Sequence, residues 1–496
     1  MQLSKTKYCD GLFCPKFLWM NHNMPEQKAD QDDTRAKIGN MVGNLARDYF
    51  GDYVEVKSNH RNISEMIAQT KQLLEAGAWI IAEATFSLNN NLCMVDILRK
   101  TDKGYDIIEV KSSTGSPGDS PGDINPRHLD DMAYQYYVVS NSGLAINKVS
   151  LMQINRKYTR YGELNLQELF TFVDCTESIL QMQEEVPGNI ETLTSVTTKE
   201  DEPELPVGDR CKDCGYRAWC FRDMPKNNVF DIGWRMWGSK KDEAYQSGIV
   251  TFEDVLNRSI KLSQMQLRQV RTVVDNLPPH VEPQGIRQFL ETLSYPLYYL
   301  DFETYQQVVP LWDGVRPYQQ IPFQYSLHVQ HASCAKPIHK EFLGKEGTDP
   351  RRALAERLCA DIPKNVCVLA YNMSFEKSQI KGLAELFPDL SEHLMNIHSN
   401  IKDLMIPFAK GYYYHREMGG SYSIKGVLPA LCGGDPELDY SSLKLIQHGG
   451  DVMALYPTLH EQPPEEIAKI RKALLAYCKL DTLAMVKILE KLYEVT

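Results

Sequence analysis

The run SYPLYYLDFETY (294–305) constrains this chain more than any other segment. It reads as an apolar strand, yet it ends in Asp301-x-Glu303, which puts two carboxylates on one face. A second apolar strand, within KNVCVLAYNMSFEKSQIKGLAELF (364–387), runs into a helix whose first turn carries Glu376. Along the C-terminal segment Pro464–Glu494, residues Ile470, Leu474, Tyr477, Asp481, Ala484 and Ile488 recur at three- and four-residue spacing. That spacing predicts a long helix with one buried stripe and Asp481 in its middle. Burying an unpaired carboxylate there costs several kcal/mol, and a bound metal ion removes the cost. Tyr477, one turn earlier, is then placed to orient a water. The alternative is a rotated helix with Asp481 in solvent. Four acidic side chains around two metal ions, about 3.5–4 Å apart, are the apparatus of in-line phosphodiester hydrolysis.

A separate constellation lies in the first half. CMVDIL (93–98) and YDIIEVKSS (105–113) predict a hairpin closed by the turn residues TDKG. Alternation places Tyr105, Ile107, Glu109 and Lys111 on one face, while Asp96 lies opposite Val95 and Ile97 on its own strand. Two carboxylates and an ammonium meeting on a sheet suit a divalent metal, with the lysine steadying the attacking water or the phosphoryl charge. The plain alternative is a solvated Glu–Lys pair on a half-exposed hairpin. Gln135, on a predicted helix at Leu129–Val139, adds a polar group to the same set. The segment 112–126, SSTGSPGDSPGDINP, follows Lys111 directly and reads as a mobile lid.

Twelve cysteines are too sparse for a disulfide scaffold in a chain of 496 residues. Cys211, Cys214 and Cys220 nevertheless crowd into ten residues, enough to hold a metal centre if one more thiolate joins. Cys14, followed by Pro15, is the best fourth ligand and Cys9 the spare. Four thiolates suit either an iron–sulfur cluster or structural zinc.

Length predicts two to four domains. We expect an α/β architecture with a first block reaching to about residue 224, a mostly helical connector at 225–290 and a strand-first block at 291–496. Helix is expected over Asp30–Phe50, and 184–209, acidic and proline-bearing, reads as a loop or linker. Hydrophobic residues at 43% and charged residues at 24% exclude wholesale disorder. The net charge of −11 argues against coating nucleic acid through bulk charge, though not against an enzyme with a local basic groove. No apolar run approaches the roughly 18 residues of a membrane span, and MQLSKTKYCDG has no signal-peptide h-region. The expectation is a cytoplasmic protein with no membrane partner.

CPKFLW (14–19), VDIL, IIEVKSS, Gln135 and the four cysteines together resemble the RecB-like PD-(D/E)XK nucleases that carry a four-cysteine iron–sulfur cluster, including those associated with CRISPR systems. LDFET, YNMSFE and YCKLD resemble the three motifs of DEDD exonucleases of the proofreading, RNase H-like class, in the subclass with tyrosine in the last motif. With IPFQYSLH (321–328) and GSYSIKGVLPAL (420–431), the combination is similar to bacterial two-nuclease proteins whose C-terminal domain is usually labelled a domain of unknown function. The resemblance implies a restriction-endonuclease-like core at 1–224 and an RNase H-like exonuclease fold at 291–496. It implies Asp96 and Glu109 as metal ligands, with Lys111 and Gln135 as catalytic residues. Cys14, Cys211, Cys214 and Cys220 would hold a 4Fe-4S cluster, which decides against zinc. Asp301, Glu303 and Asp481 would bind Mg²⁺ or Mn²⁺, with Tyr477 orienting the water.

Two positions depart from the pattern. RecB-like enzymes often carry a metal-binding histidine on the first helix, and GNMVGNLARDYF (39–50) has none; Glu83 is the substitute ligand. The middle DEDD motif normally has Asp after Phe, where this chain has Glu376, with Asp403 in IKDLM as the other choice. The leading expectation is a nuclease with two active sites, acting on nucleic acid, single-stranded DNA ahead of RNA, in repair or antiviral defence. The competing one is a nucleic-acid-binding or assembly protein with decayed sites. An iron–sulfur redox sensor is a third reading, weakened by the lack of an obvious partner domain.

Overall fold

The computed structural model describes residues 2–29, 34–57, 62–234, 236, 238–258, 260–438, 445–446 and 449–496. The chain is mixed α/β and divides into two compact units. The first comprises 1–207, 213–222 and 307–319, and the second 208–212, 223–306 and 320–496.

The first unit is built on a seven-stranded sheet. Its strands are β1 (Leu3–Ser4), β2 (Val54–Glu55), β3 (Ile80–Leu88), β4 (Asn91–Thr101), β5 (Gly104–Gly115), β6 (Ile146–Asn155) and β7 (Phe170–Asp174). They lie in the order β2-β3-β4-β5-β6-β7, with β1 pairing in parallel with the start of β4. The expected hairpin is β4–β5, antiparallel with Ile97 opposite Ile108. The next step of that register sets Asp96 level with Glu109. Beyond this point β5 pairs only with β6, so β4 and β5 part at the two carboxylates, and β1 takes the vacated side of β4 through Leu3–Asn91 and Ser4–Leu92. The helix Pro126–Asn141 covers one face, buried through Met132, Ala133, Val138 and Val139; Asn125 caps it and Pro126 occupies its first turn.

Two expectations are corrected here. The 184–209 segment contains a helix, Val186–Thr197, because Val186, Leu193 and Val196 bury an apolar face and Pro187 stands in its first turn, where no amide proton is needed. The prolines and acids mark its ends, not an unstructured linker. The 112–126 segment is likewise held without a substrate. β5 continues to Gly115, Asp119 accepts from the Ser116 amide at 2.6 Å, Arg156 Nε donates to Ser116 Oγ at 2.6 Å, and Ile124 is buried in the core. The lid reading is withdrawn. The predicted first helix is Thr34–Tyr49; Asp30, where it was expected to begin, lies outside the described residues.

The second unit contains a short pair, β8 (His280–Val281) with β14 (Tyr413–Tyr414), and a five-stranded sheet. The sheet comprises β9 (Leu297–Tyr305), β10 (Ile321–Gln330), β11 (Ile338–Leu343), β12 (Cys367–Ala370) and β13 (Ile401–Asp403), in the order β11-β10-β9-β12-β13. The β9–β10 and β10–β11 pairs are antiparallel, and β9–β12 and β12–β13 are parallel. The expected helices are present as Ser374–Leu386 and Pro464–Glu494. The stripe faces inward: Leu474, Ala484 and Ile488 are fully buried and Tyr477 nearly so. The helices of the expected connector, Gly238–Gln246, Phe252–Asn257, Gln264–Val274 and Pro283–Leu290, cluster with this unit.

Candidate active sites

In the first unit, β4 and β5 part at Asp96 and Glu109, while Glu109 stays in register with Leu151 of β6. Asp96 Oδ2 accepts the Val110 amide at 2.9 Å. Lys111 Nζ donates to Glu109 Oε1 at 2.6 Å and to Asp131 Oδ2 at 2.8 Å. Gln135 Nε2 bridges Glu109 Oε2 at 2.6 Å and Asp131 Oδ1 at 3.0 Å, which leaves its own buried Oε1 without a partner. The structure therefore brings Asp96, Glu109, Lys111 and Gln135 together. It adds Asp131, which the i, i+4 spacing to Gln135 signals, and Lys5, whose Nζ lies 3.1 Å from Asp96 Oδ1 and 3.1 Å from Glu109 Oε2. Glu83 is not part of this cluster: it has a positive φ of 56° and pairs with Arg47 at 2.7 Å.

Charge is unevenly shared among these groups. Burial and the neighbouring Glu109 push Asp96 up to about 6. Burial opposes ionisation of Glu109 too, but Lys111 and Lys5 outweigh it and hold that carboxyl well below the usual range. Lys111 is itself held above its ordinary value, because Glu109 and Asp131 overcome its desolvation. It stays an ammonium.

In the second unit Asp301 and Glu303 project from the same face of β9, and the helix Pro464–Glu494 brings Cys478 against them. One ligand atom from each of Asp301, Glu303 and Cys478 lies within 4.8 Å of the others. Cys478 Sγ is 3.8 Å from Asp301 Oδ2. Glu376, nine-tenths or more buried, has an Oε2 without a hydrogen-bond partner. Burial, then the charges of Asp481, Glu303 and Glu376, push Asp301 well above the carboxylate range. Burial and Asp481 take Glu303 to about 8, against a smaller opposing pull from Lys425, and burial with Asp403 takes Glu376 to about 8. Burial and the same acids raise the Tyr477 phenol. Asp403 lies beside Glu376 and uses Oδ1 to accept the Asn372 amide at 2.9 Å and the Met405 amide at 3.0 Å. Sequence reasoning missed Cys478, whose adjacency to Tyr477 was visible but whose approach to Asp301 needed the helix–sheet crossing.

Cys14, Cys211, Cys214 and Cys220 are half-buried and in no disulfide. Cys14 ends the helix Lys5–Phe13 and opens Pro15–Asn23, while Cys214 and Cys220 pack with Trp19, Met20 and Tyr216. Cys14, Cys214 and Cys220 fall in the first unit and Cys211 in the second. Cys9 is buried in the core with Sγ 3.9 Å from the Arg127 carbonyl, remote in kind from its half-buried companions.

Residues 298–423 match the family described as "Domain of unknown function (DUF2779)". The match takes in Asp301, Glu303, Glu376 and Asp403 and stops before Tyr477 and Asp481. No curated protein matches the chain significantly. No helix among the described residues is long and apolar enough to cross a membrane. The similarity found is thus a match of residues 298–423 to a family whose description assigns no function.

Proposed function

We propose that the protein is a metal-dependent nuclease with two active sites, one in each unit. The observation that carries this reading is the crowding of Asp301, Glu303, Glu376 and Asp481 in the second unit. Like charges are packed close enough to raise one another, and a buried carboxylate oxygen is left without a partner. A fold maintains such a group when a cation completes it. The donor set is oxygen-rich and suits Mg²⁺ or Mn²⁺. The strand order β11-β10-β9-β12-β13, with its first three strands antiparallel and the rest parallel, supports an RNase H-like exonuclease fold. The split hairpin with Asp96, Glu109 and Lys111 supports a PD-(D/E)XK core.

When bound, the metal ions supply Lewis-acid activation of the phosphodiester. The chain's own groups do the rest. Tyr477, kept as a neutral phenol by its raised pKa, orients a water through its hydroxyl and does not deprotonate it. Lys111, kept as an ammonium, stabilises the negative charge that develops on the phosphoryl oxygens. Gln135 fixes Glu109 and Asp131 through its amide. In the first unit the carboxylate pair and the unpartnered Gln135 Oε1 likewise fit a divalent ion. The thiol chemistry of Cys14, Cys211, Cys214 and Cys220 fits an iron–sulfur cluster, with a structural role.

The deciding experiment is incubation of the full-length protein with labelled single-stranded DNA and RNA in Mg²⁺, Mn²⁺ or EDTA. Asp301→Ala should lower release of nucleotides from the 3′ end by about 10²–10⁴-fold, and Tyr477→Phe by less. Unchanged degradation in Asp301→Ala, with complete loss in Lys111→Ala, would make the second unit a binding scaffold.

A further inference from the structure

Lys5 is the one member of the first site that no motif announces. Its backbone is fixed twice: β1 immediately before it pairs with β4, and Ser4 caps the helix it opens, accepting the Lys7 amide at 3.4 Å. From there the side chain reaches Asp96 Oδ1 at 3.1 Å, Glu109 Oε1 at 3.2 Å and Glu109 Oε2 at 3.1 Å. An ammonium has three protons to donate, and here it meets three carboxylate oxygens. Asp96 Oδ2 is already taken by the Val110 amide, so Lys5 sits on the very oxygens that a cation at this site would use. Lys111 differs, since its hydrogen bonds go to Glu109 and Asp131 and not to Asp96.

We propose that Lys5 is a resident counter-cation of the first site, and that a divalent ion binding at Asp96 and Glu109 has to displace it. This rests on the reading that those two residues hold a metal. The charges support an exchange. Asp96, Glu109 and Asp131 face two ammonium groups, leaving one net negative charge. Adding a divalent ion would turn this into one net positive charge, and withdrawal of Lys5 restores neutrality. Distance points the same way, because Mg²⁺ holds its oxygens at about 2.0–2.1 Å. An ammonium on those same oxygens would then lie within a few ångströms of the ion and be repelled. The Lys5 side chain is 21% exposed, so it has a way out. In the second unit no ion pair to Asp301, Glu303 or Glu376 is seen among the described residues, and the cation that acts on this cluster is Lys425, through its charge on Glu303.

Mn²⁺ binding to the full-length protein, followed by the electron paramagnetic resonance of the free ion, tests this directly. Asp301→Asn serves as background to suppress the second site. Lys5→Met should tighten first-site Mn²⁺ binding by about tenfold or more, since it removes a competing cation at contact distance. Lys5→Arg should not tighten it, and Lys7→Met, which alters a half-buried neighbour whose ammonium donates to the Gln2 carbonyl, should leave it unchanged. A measurement on the unaltered chain guards against a folding defect. Amine labelling of Lys5, read by mass spectrometry, should rise when Mn²⁺ is added and fall back with EDTA. Equal or weaker Mn²⁺ binding in a folded Lys5→Met protein, or labelling that stays constant while first-site Mn²⁺ is bound, overturns the proposal and leaves the nuclease reading intact. If neither the unaltered first site nor the Lys5→Met site binds Mn²⁺, the proposal falls together with the metal reading of that site. Nuclease assays of Lys111→Ala judge the rest independently.

Discussion

Glu376 faces a different problem from the carboxylates of the first site: it is buried beside other acids, not beside lysines. With its pKa at about 8 it is mostly protonated at neutral pH in metal-free protein, as is Glu303. A carboxyl whose folded pKa lies above its unfolded value stabilises the fold at low pH, and that contribution is lost as pH rises through the folded pKa. Metal-free protein should therefore melt at a lower temperature at pH 9 than at pH 6.5, with the loss accumulating from the unfolded carboxyl range upward and levelling off above about pH 8, and Mn²⁺ should restore much of it. Differential scanning calorimetry in EDTA and in Mn²⁺ checks both halves. Glu376→Gln should flatten the EDTA profile, because an amide cannot ionise, while weakening Mn²⁺ binding. An unchanged profile would mean that Glu376 is not among the groups responsible.

Elements carry these side chains to their positions, and two substitutions test that. Gly104 closes the β4–β5 hairpin at φ 130°, and an added Cβ would run into the Ala145 carbonyl oxygen. Gly104→Ala should cost about 1–3 kcal/mol in chemical denaturation and disturb the register that sets Asp96 level with Glu109. The C-terminal helix is anchored differently. Leu474 is fully buried one turn before Tyr477, and its carbonyl accepts Gln324 Nε2 at 2.8 Å. Leu474→Ala should cost about 2–5 kcal/mol and lower only the activity that depends on Asp301. An equal loss in the Lys111-dependent activity would argue for global unfolding.

At the scale of the whole molecule, the two carboxylate clusters are drawn from different units. Their effects should combine as independent sites do. The double variant Lys111→Ala/Asp301→Ala should lose both activities, each single variant one, as judged on substrates with blocked and free 3′ ends. The cysteines make a separate forecast. Protein purified without oxygen should be brown with one iron–sulfur cluster, and Cys214→Ser should bleach it and lower the melting temperature of the first unit. Stoichiometric zinc without iron would refute the cluster.

Local periodicity was sufficient for much of this. The β4–β5 hairpin, the strand ending at Tyr305 and the helix Pro464–Glu494 follow from alternation and from the spacing of apolar residues, because those patterns report which face of an element is buried. Asp481 stood out as a charge in the middle of a stripe that ought to be dry, and Asp96, Glu109, Asp301 and Glu303 as acids carried by strands. What a buried face meets is not written in its period. Lys5 reaches partners 91 and 104 residues away, and Cys478 approaches Asp301 from 177 residues away. Glu83 turns to Arg47 instead of joining Asp96, and the proline-bearing acidic stretch becomes the helix Val186–Thr197 because the core accepts its three apolar side chains. These outcomes depend on strand pairing and helix crossing between distant segments, where burial and charge neutralisation override local propensity.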